Sequence, residues 1–171
     1  VAHDDGAIFS FPELQPEPVD DADYEWLNQW RWHWRRTGSR VYGYAVRVSP
    51  CEAAHGTGRR QTTIRMHNAI LNPPAPLTTD HVNLDTLDNR RANLRPATIS
   101  QQKANSRRRR NNSSGYKGIT WCGARSKWRA VIECEYKHHH LGYFTLPEEA
   151  ALAYNKAAAR LFGDFARLNE V

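Results

Sequence analysis

The pattern of hydrophobic and polar residues predicts short strands and helices in the first part of the chain. Residues 40–48 and 61–65 are rich in β-branched and aromatic side chains, which predicts two strands. A short helix is predicted over residues 24–30, because aspartates just before it offer N-cap oxygens. A second helix is predicted over residues 66–71, and the prolines in the stretch 72–76 end it.

The C-terminal part of the chain shows a simpler pattern. Three strand-like runs, separated by polar turns, cover residues 115–121, 127–133 and 137–144. An amphipathic helix is predicted over residues 146–162, with a capping box between Thr145 and Glu148 and with Gly163 at its end. The sequence therefore predicts an α+β fold whose last module is a three-stranded antiparallel sheet packed on one helix.

Composition and charge indicate a nucleic-acid partner. Residues 1–56 carry five Lys and Arg against nine Asp and Glu, whereas residues 57–171 carry nineteen against nine. A basic region with interspersed Trp, Tyr and Asn favours nucleic acid over a membrane surface, although a basic soluble domain would have the same composition. We expect no membrane association and no small-molecule substrate.

The remaining composition excludes several classes of protein. No run of about eighteen apolar residues is present, and residues 1–18 lack the features of a signal peptide, so we expect a cytoplasmic protein. The three Cys form no CxxC pair, which argues against a disulfide framework and a structural zinc site. The predicted organisation is a flexible tail at 1–19, a first domain at 20–106, a basic linker at 107–114 and a second domain at 115–171.

The stretch 79–95 carries the candidate chemistry. Asp80 and His81 end a predicted strand, a polar loop of about eleven residues follows, and Asn93 opens a second extended run before a predicted helix over 99–107. Such an order can bring a carboxylate, an imidazole and an amide into one small site. Phosphodiester hydrolysis needs a hard cation held by oxygen ligands, a base that takes a proton from water, and a group that orients the base.

Residues 62–105 resemble the HNH homing-type endonucleases. The matching segments are Met66-His67-Asn68-Ala69-Ile70-Leu71, Asp80-His81-Val82-Asn83, Leu87-Asp88-Asn89-Arg90-Arg91-Ala92-Asn93-Leu94-Arg95 and Ser100-Gln101-Gln102. The resemblance implies a ββα-metal (HNH) finger that binds one divalent cation, with Mg²⁺ expected and Mn²⁺ as the alternative. We interpret His67 as a packing or hydrogen-bonding residue and not as a catalytic one.

The resemblance also implies roles for single residues. Asp80 would be a metal ligand, His81 the general base, and Asn93 would either orient the His81 ring or stabilise the loop. Gln102 falls where the family has Asn as its last metal ligand, and Asn105 is a possible substitute on the same helical face. The longer Gln side chain is a departure from the family pattern.

Residues 115–169 resemble the APETALA2-type DNA-binding domain, whose sheet lies in the major groove while its helix supports the sheet from behind. The matching segments are Gly115-Tyr-Lys-Gly118, Lys127-Trp-Arg-Ala130, His140-Leu-Gly-Tyr-Phe144, Glu148-Glu-Ala-Ala151, Ala153-Tyr154 and Phe165-Ala-Arg-Leu-Asn169. Strand alternation turns Lys127 and Arg129 away from the helix. The predicted DNA-binding residues are Lys117, Trp121, Lys127, Arg129 and His140, together with Arg107 and Arg108 in the linker.

These observations predict a metal-dependent endonuclease that hydrolyses phosphodiester bonds, nicks or cleaves double-stranded DNA, and reads sequence through its C-terminal module. One alternative is a non-catalytic DNA-binding protein that retains the HNH scaffold, which the Gln102 departure favours. Another is an RNA-directed nuclease or RNA-binding protein. The sequence indicates neither the target site nor the oligomeric state.

Overall fold

The computed structural model describes residues 18–37, 43–50 and 61–171. Over these ranges the fold is mixed α+β, as the sequence predicted, with four α-helices and three sheets. The chain forms two compact units, one ending at Pro96 and the other beginning at Ala97. None of the helices in the described ranges is long and apolar enough to cross a membrane.

The first unit contains a three-stranded sheet, two short helices and the start of a strand pair. Its elements are α1 (Asp21–Leu27), β1 (His33–Arg36), β2 (Gly43–Pro50), β3 (Gln61–Arg65), α2 (Met66–Leu71), β4 (Thr78–His81) and β5 (Leu94–Ala97), which crosses the boundary. Antiparallel pairing gives the order β1-β2-β3, and β4 pairs with β5. The core is formed by Leu27, Ala45, Met66, Ile70 and Leu94.

Most of the predicted elements of this unit are present. The strand predicted over 40–48 is β2, although residues 40–42 lie outside the described residues. Most of the predicted tail and of the predicted loop at 49–60 also lie outside them. β1 was not predicted, because it has one half-buried and three exposed residues and therefore shows no apolar alternation. The start of α1 lies three residues earlier than predicted, since buried Asp23 is part of the helix and does not cap it.

The second unit is built as the C-terminal pattern predicted. Its elements are α3 (Ile99–Asn105), β6 (Ile119–Cys122), β7 (Lys127–Cys134), β8 (Lys137–Phe144) and α4 (Pro147–Phe162). The antiparallel sheet has the order β6-β7-β8, and α4 packs on it. The core is formed by Ala104, Ile119, Ala130, Ile132, Ala150, Ala151, Tyr154, Ala157, Ala158 and Phe162.

Two local features position α4 against the sheet. The capping box predicted between Thr145 and Glu148 is wrong, because the helix begins one residue later, with Pro147 in its first turn. Gly118 has a φ of +79°, and a Cβ at this position would collide with the ring of Tyr154. A glycine is therefore required where the chain enters β6 beside the helix.

Candidate active site

Asp80 and His81 lie at the end of β4 and are both buried, with 6 % and 5 % of their surfaces exposed. The two side chains are adjacent in sequence on a strand, so they leave the backbone in opposite directions. The Asp80 carboxylate is paired with Arg95 on the neighbouring strand β5, at 3.0 Å between Nε and Oδ2. Sequence analysis assigned Arg95 no role, although it lies in the segment that resembles the HNH family.

The ring of His81 is held by an amide and by two other rings. Its Nε2 lies 3.3 Å from Oδ1 of Asn89, which is fully buried. The ring centroid of His67 is 4.9 Å away in an edge-on arrangement, and the Tyr44 ring is 6.3 Å away. Burial lowers the pKa of His81, while the bond to Asn89 and nearby carboxylates act in the opposite direction. The imidazole is therefore held in its neutral form near pH 7.

Asn89, and not the predicted Asn93, makes the amide contact with His81. Asn89 is itself fixed from several sides: its Nδ2 donates to the carbonyl oxygen of Leu87 at 3.1 Å, and its backbone N–H donates to the carbonyl oxygen of Pro18 at 2.9 Å. Sequence reasoning missed Asn89, although a buried polar residue in the loop between two strands of a candidate site was a usable signal.

Asn93 braces the loop between β4 and β5. Its Oδ1 accepts from the backbone N–H of Asn83 at 2.9 Å, and its Nδ2 donates to the carbonyl oxygen of Asp88 at 2.8 Å. Of the two roles considered for Asn93, these contacts correspond to loop stabilisation. The carboxylate of Asp88 accepts in turn from Arg90 and from Asn83, and the bond from Arg90 is the main reason that the pKa of Asp88 is lowered.

Residues of α1 and its N-cap also stabilise the loop between β4 and β5. The guanidinium of Arg91 donates twice to the carboxylate of Asp23, at 2.7 Å each, and the backbone N–H of Arg91 donates to Asp20 at 2.6 Å. The Thr86 hydroxyl donates to the carbonyl oxygen of Gly43, at the start of β2. Elements from residues 20–50 therefore stabilise the loop that contains the candidate site.

The predicted second metal ligand belongs to the other unit. Gln102 is half-buried on α3, and the alternative ligand Asn105 is buried at the end of that helix. Thr98 and Gln101 form a reciprocal capping box that fixes where α3 begins. Within residues 18–37, 43–50 and 61–171, no three His, Cys, Asp or Glu side chains gather in a way that could hold a metal ion. The ligand role of Gln102 stays a prediction.

The sheet of the second unit presents a polar outer face, away from α4. The register places Thr120, Arg129 and Tyr143 side by side across the three strands, and Val131 beside His140. Lys127 lies on the same face, opposite Cys122. On the outer face, Cζ of Arg125 lies 4.7 Å from the ring centroid of Tyr143. The ring centroid of His140 lies 4.6 Å from the same centroid.

Two of the predicted DNA-binding residues, Trp121 and Lys117, do not lie on the outer face of the sheet. Trp121 lies opposite Trp128 across β6 and β7, on the other face of the sheet from Arg129, and is 52 % exposed. Its role in DNA binding stays a prediction. Lys117 points its Nζ at the end of α3 and donates to the carbonyl oxygens of Lys103, Ala104 and Ser106. Its contacts are those of a helix cap, and burial lowers its pKa to about 8.

Arg107 and Arg108 are exposed in the segment that follows α3. They lie together with Arg109 and Arg110 along a basic groove of the second unit. Their positions agree with the predicted linker only in part, because Ala104 of the preceding helix belongs to the hydrophobic core of this unit.

Comparison with known proteins gives two viral relatives. No family model matches the chain, and no solved structure matches it. An uncharacterized HNH endonuclease, L560, of Acanthamoeba polyphaga mimivirus is 24 % identical over 165 residues, which cover 95 % of this chain and 75 % of that protein. Protein 3.8 of Escherichia phage T7 is 33 % identical over 88 residues, which cover 52 % of this chain and 72 % of that protein. The extent of this second match shows that the chain belongs to the family of phage T7 protein 3.8.

Proposed function

We propose that the chain is an HNH-type, metal-dependent endonuclease acting on double-stranded DNA. The observation that carries the proposal is the buried Asp80-His81 pair at the end of β4, followed by a loop that Asn93 and Asp88 brace. A carboxylate, a neutral imidazole and an orienting amide are the groups that phosphodiester hydrolysis requires. The distant likeness to a viral protein named as an HNH endonuclease supports the same assignment.

His81 is the group that moves a proton in this proposal. The amide oxygen of Asn89 only accepts, so the contact at 3.3 Å is a hydrogen bond when the ring proton of His81 is on Nε2, which would put the lone pair on Nδ1. A neutral imidazole with its lone pair on Nδ1 takes a proton from water. The oxygen of that water then attacks phosphorus, and the bond from phosphorus to the leaving oxygen breaks. Asn89 keeps the ring in the orientation that this step needs.

The donor groups fit a hard divalent cation. Mg²⁺ is usually bound through one or two carboxylates together with water and substrate phosphates, and the Asp80 carboxylate would be such a ligand. Gln102 remains the second expected ligand, on the resemblance alone. When bound, Mg²⁺ would supply positive charge that offsets the charge of the phosphate.

The outer face of the sheet is the surface we propose for reading DNA, as in the APETALA2-type domain that the C-terminal segment resembles. Arg129, Lys127 and His140 lie on this face, and Arg129 is exposed beside Tyr143. Arginine can bind phosphate oxygens or donate to the two acceptors of guanine in the major groove. We omit Lys117 and Trp121 from this set because of their positions.

One observation favours a non-catalytic DNA-binding protein as the second candidate. The Asp80 carboxylate is already paired with the guanidinium of Arg95, which is itself mostly buried. A cation bound at Asp80 has to share the carboxylate with Arg95 or displace it. An intact ion pair with no cation would leave the strand pair and its loop as a scaffold.

Nicking of supercoiled plasmid separates the two candidates. The wild-type protein should relax the plasmid with Mg²⁺ and not with EDTA, and His81→Ala should reduce the rate by at least about a hundredfold, since it removes the base. His139→Ala, which changes an exposed histidine on β8, is the matched control and should keep wild-type activity. Far-UV circular dichroism shows that each variant is folded. Equal nicking by wild type and His81→Ala would refute the catalytic assignment.

A further inference from the structure

A groove of about 610 Å³ in the second unit is lined mainly by cationic side chains. It lies between the segment that follows α3 and the segment 167–170 near the end of the chain. We call it the arginine groove. Its cationic lining consists of Arg107, Arg108, Arg109, Arg110, Lys117 and Arg167. Glu170 is the one carboxylate among the residues that line it.

The walls of the arginine groove are held in place by hydrogen bonds. Lys117 fixes the end of α3, because its Nζ donates to three backbone carbonyl oxygens there. Asn169 fixes the other wall. Its side chain bonds both the N–H and the C=O of Lys117, and its backbone is bonded in both directions by the side chain of Asn155 on α4. A ligand would therefore meet a preformed groove, which reduces the ordering cost of binding.

Among the residues that line the groove, six cationic side chains face one carboxylate. In the part of the chain that the structure describes, none of the five arginines has a carboxylate within the 4.0 Å of an ion pair, although the pKa of Glu133, lowered mainly by Lys103, is lowered by Arg109 as well. Burial is the main cause of the lowered pKa of Lys117, and the charge of Arg167 lowers it further. Cations that repel one another in a fixed groove favour an anionic ligand.

The chemistry of the groove indicates which anion. Residues 107–109 have no regular secondary structure, and a turn follows in which the N–H of Asn112 donates to the carbonyl oxygen of Arg109. Four consecutive arginines in such a segment can contact neighbouring phosphates of a DNA strand. No aromatic side chain is among the lining residues, so the groove lacks the aromatic rings on which successive bases of a single strand stack. These features fit a sugar-phosphate backbone and not a nucleotide base.

We propose that the arginine groove binds the phosphodiester backbone of duplex DNA, independently of base sequence and of the metal ion. The proposal rests on the proposed function in that it takes DNA as the partner. It differs from the outer face of the sheet, because none of the cationic residues of the groove lies on β6, β7 or β8. The groove would hold the DNA backbone, and the sheet would read its bases.

Fluorescence anisotropy with two duplexes of unrelated sequence tests the proposal, in EDTA and over a series of NaCl concentrations. The test variant is Arg108→Ala/Arg167→Ala, and its matched control is Lys156→Ala/Arg160→Ala, which removes the same charge from exposed positions of α4. For the test variant we expect affinity for both duplexes to fall at least about tenfold. The slope of log K against log salt should become shallower by about 1.8, because each lost phosphate contact removes about 0.9. The control should stay within about twofold of wild type.

Several results would overturn the proposal. Unchanged affinity and slope in the test variant would show that the groove does not contact DNA. Loss for one duplex alone would indicate base reading. Binding of inorganic phosphate that the test variant loses, together with an unchanged affinity of that variant for DNA, would indicate a site for free phosphate. Arg108→Lys/Arg167→Lys, which keeps the charge, should retain most of the binding, and a loss equal to that of the alanine variant would point to misfolding.

Plasmid nicking by the same proteins keeps this inference separate from the proposed function. A wild-type protein that does not nick DNA, but whose salt slope depends on Arg108 and Arg167, would refute the nuclease and support the groove. A wild-type protein that nicks DNA, with a salt slope that the test variant leaves unchanged, would refute the groove and support the nuclease.

Discussion

At the scale of single residues, His67 has the most restrictive environment near the candidate site. It is 5 % exposed, its ring packs edge-on against His81 and also against Tyr44, and its Nδ1 has no hydrogen-bond partner among the described residues. Burial, together with the charges of His81 and Arg65, lowers the pKa of His67 to about 3. Near neutral pH, His67 therefore gives the ring of His81 a neutral, closely packed neighbour.

The lowered pKa of His67 predicts how stability depends on pH. The unfolded chain takes up a proton at this residue near its ordinary pKa of about 6.5, whereas the folded chain does so only near 3. The contribution is therefore complete above about pH 6.5, and the free energy of unfolding falls by about 1.4 kcal/mol for each pH unit below it, until about pH 3. Urea unfolding of wild type and His67→Phe between about pH 7 and pH 4 measures this difference in slope.

A matched variant separates His67 from the other histidines. His139→Phe changes an exposed residue of the second unit, and its pH slope should equal that of wild type. His67→Phe should lose the steep part of the slope, whatever its stability at pH 7. If the curves of wild type and His67→Phe run parallel down to about pH 4, then His67 is not held neutral by the fold.

Arg95 shows what sequence reasoning about single residues could not supply. The resemblance to the HNH family indicated roles for Asp80 and His81, because each side chain can itself take part in the chemistry. The pairing of Arg95 with Asp80 depends on which residues of β4 and β5 face one another, and the length and course of the loop 82–93 decide this. For the same reason the amide beside His81 is Asn89 and not Asn93.

At the scale of elements, the loop between β4 and β5 depends on Asn93. Replacing Asn93 by Ala removes the acceptor for the Asn83 N–H and the donor to the Asp88 carbonyl oxygen. Buried polar groups left without a partner cost about 1–3 kcal/mol each, so we expect Asn93→Ala to lower the free energy of unfolding by about 3 kcal/mol. Urea unfolding followed by Trp fluorescence measures this loss.

The variant Asn93→Asp is the comparison, because it keeps the accepting Oδ1 but puts a buried, charged oxygen where Nδ2 donates to the Asp88 carbonyl oxygen. It should lose at least as much stability as Asn93→Ala. In the nicking assay, the variant that loses more stability should also lose more activity, because Asn93 affects catalysis by stabilising the loop between β4 and β5. Wild-type stability of Asn93→Ala together with complete loss of nicking would contradict this, and would indicate direct contact of Asn93 with the reacting groups.

The sequence predicted the strongly patterned elements and missed those that depend on partners. Alternation identified β7, and helical periodicity identified α4, because each buries one continuous apolar face. β1 escaped prediction because it is an edge strand with three exposed residues. Lys117 was interpreted as a surface lysine, since its role depends on where α3 ends, and no local pattern at position 117 contains that information.

At the scale of the whole molecule, the two compact units carry different parts of the proposed activity. The first unit contains Asp80 and His81, and the second contains the outer face of the sheet and the arginine groove. Each unit has its own hydrophobic core, built from residues of that unit alone. The sequence placed the second domain at residue 115, after a linker, whereas the compact unit begins at Ala97.

Fragments that begin at these two positions test where the second unit starts. The fragment 97–171 should unfold cooperatively, since its core is complete. The fragment 115–171 lacks Ala104 in that core, the three carbonyl acceptors of Lys117, and the bond from the Arg167 N–H to the Ala104 carbonyl oxygen. We expect it to be less stable by about 2–4 kcal/mol, which lowers Tm by roughly 10–20 °C in a domain of this size.

Lys117→Met in the longer fragment should reproduce part of that loss, because it leaves the carbonyls at the end of α3 without their donor. Equal Tm values for the two fragments would place α3 outside the second unit, and Lys117 would then be available to bind DNA.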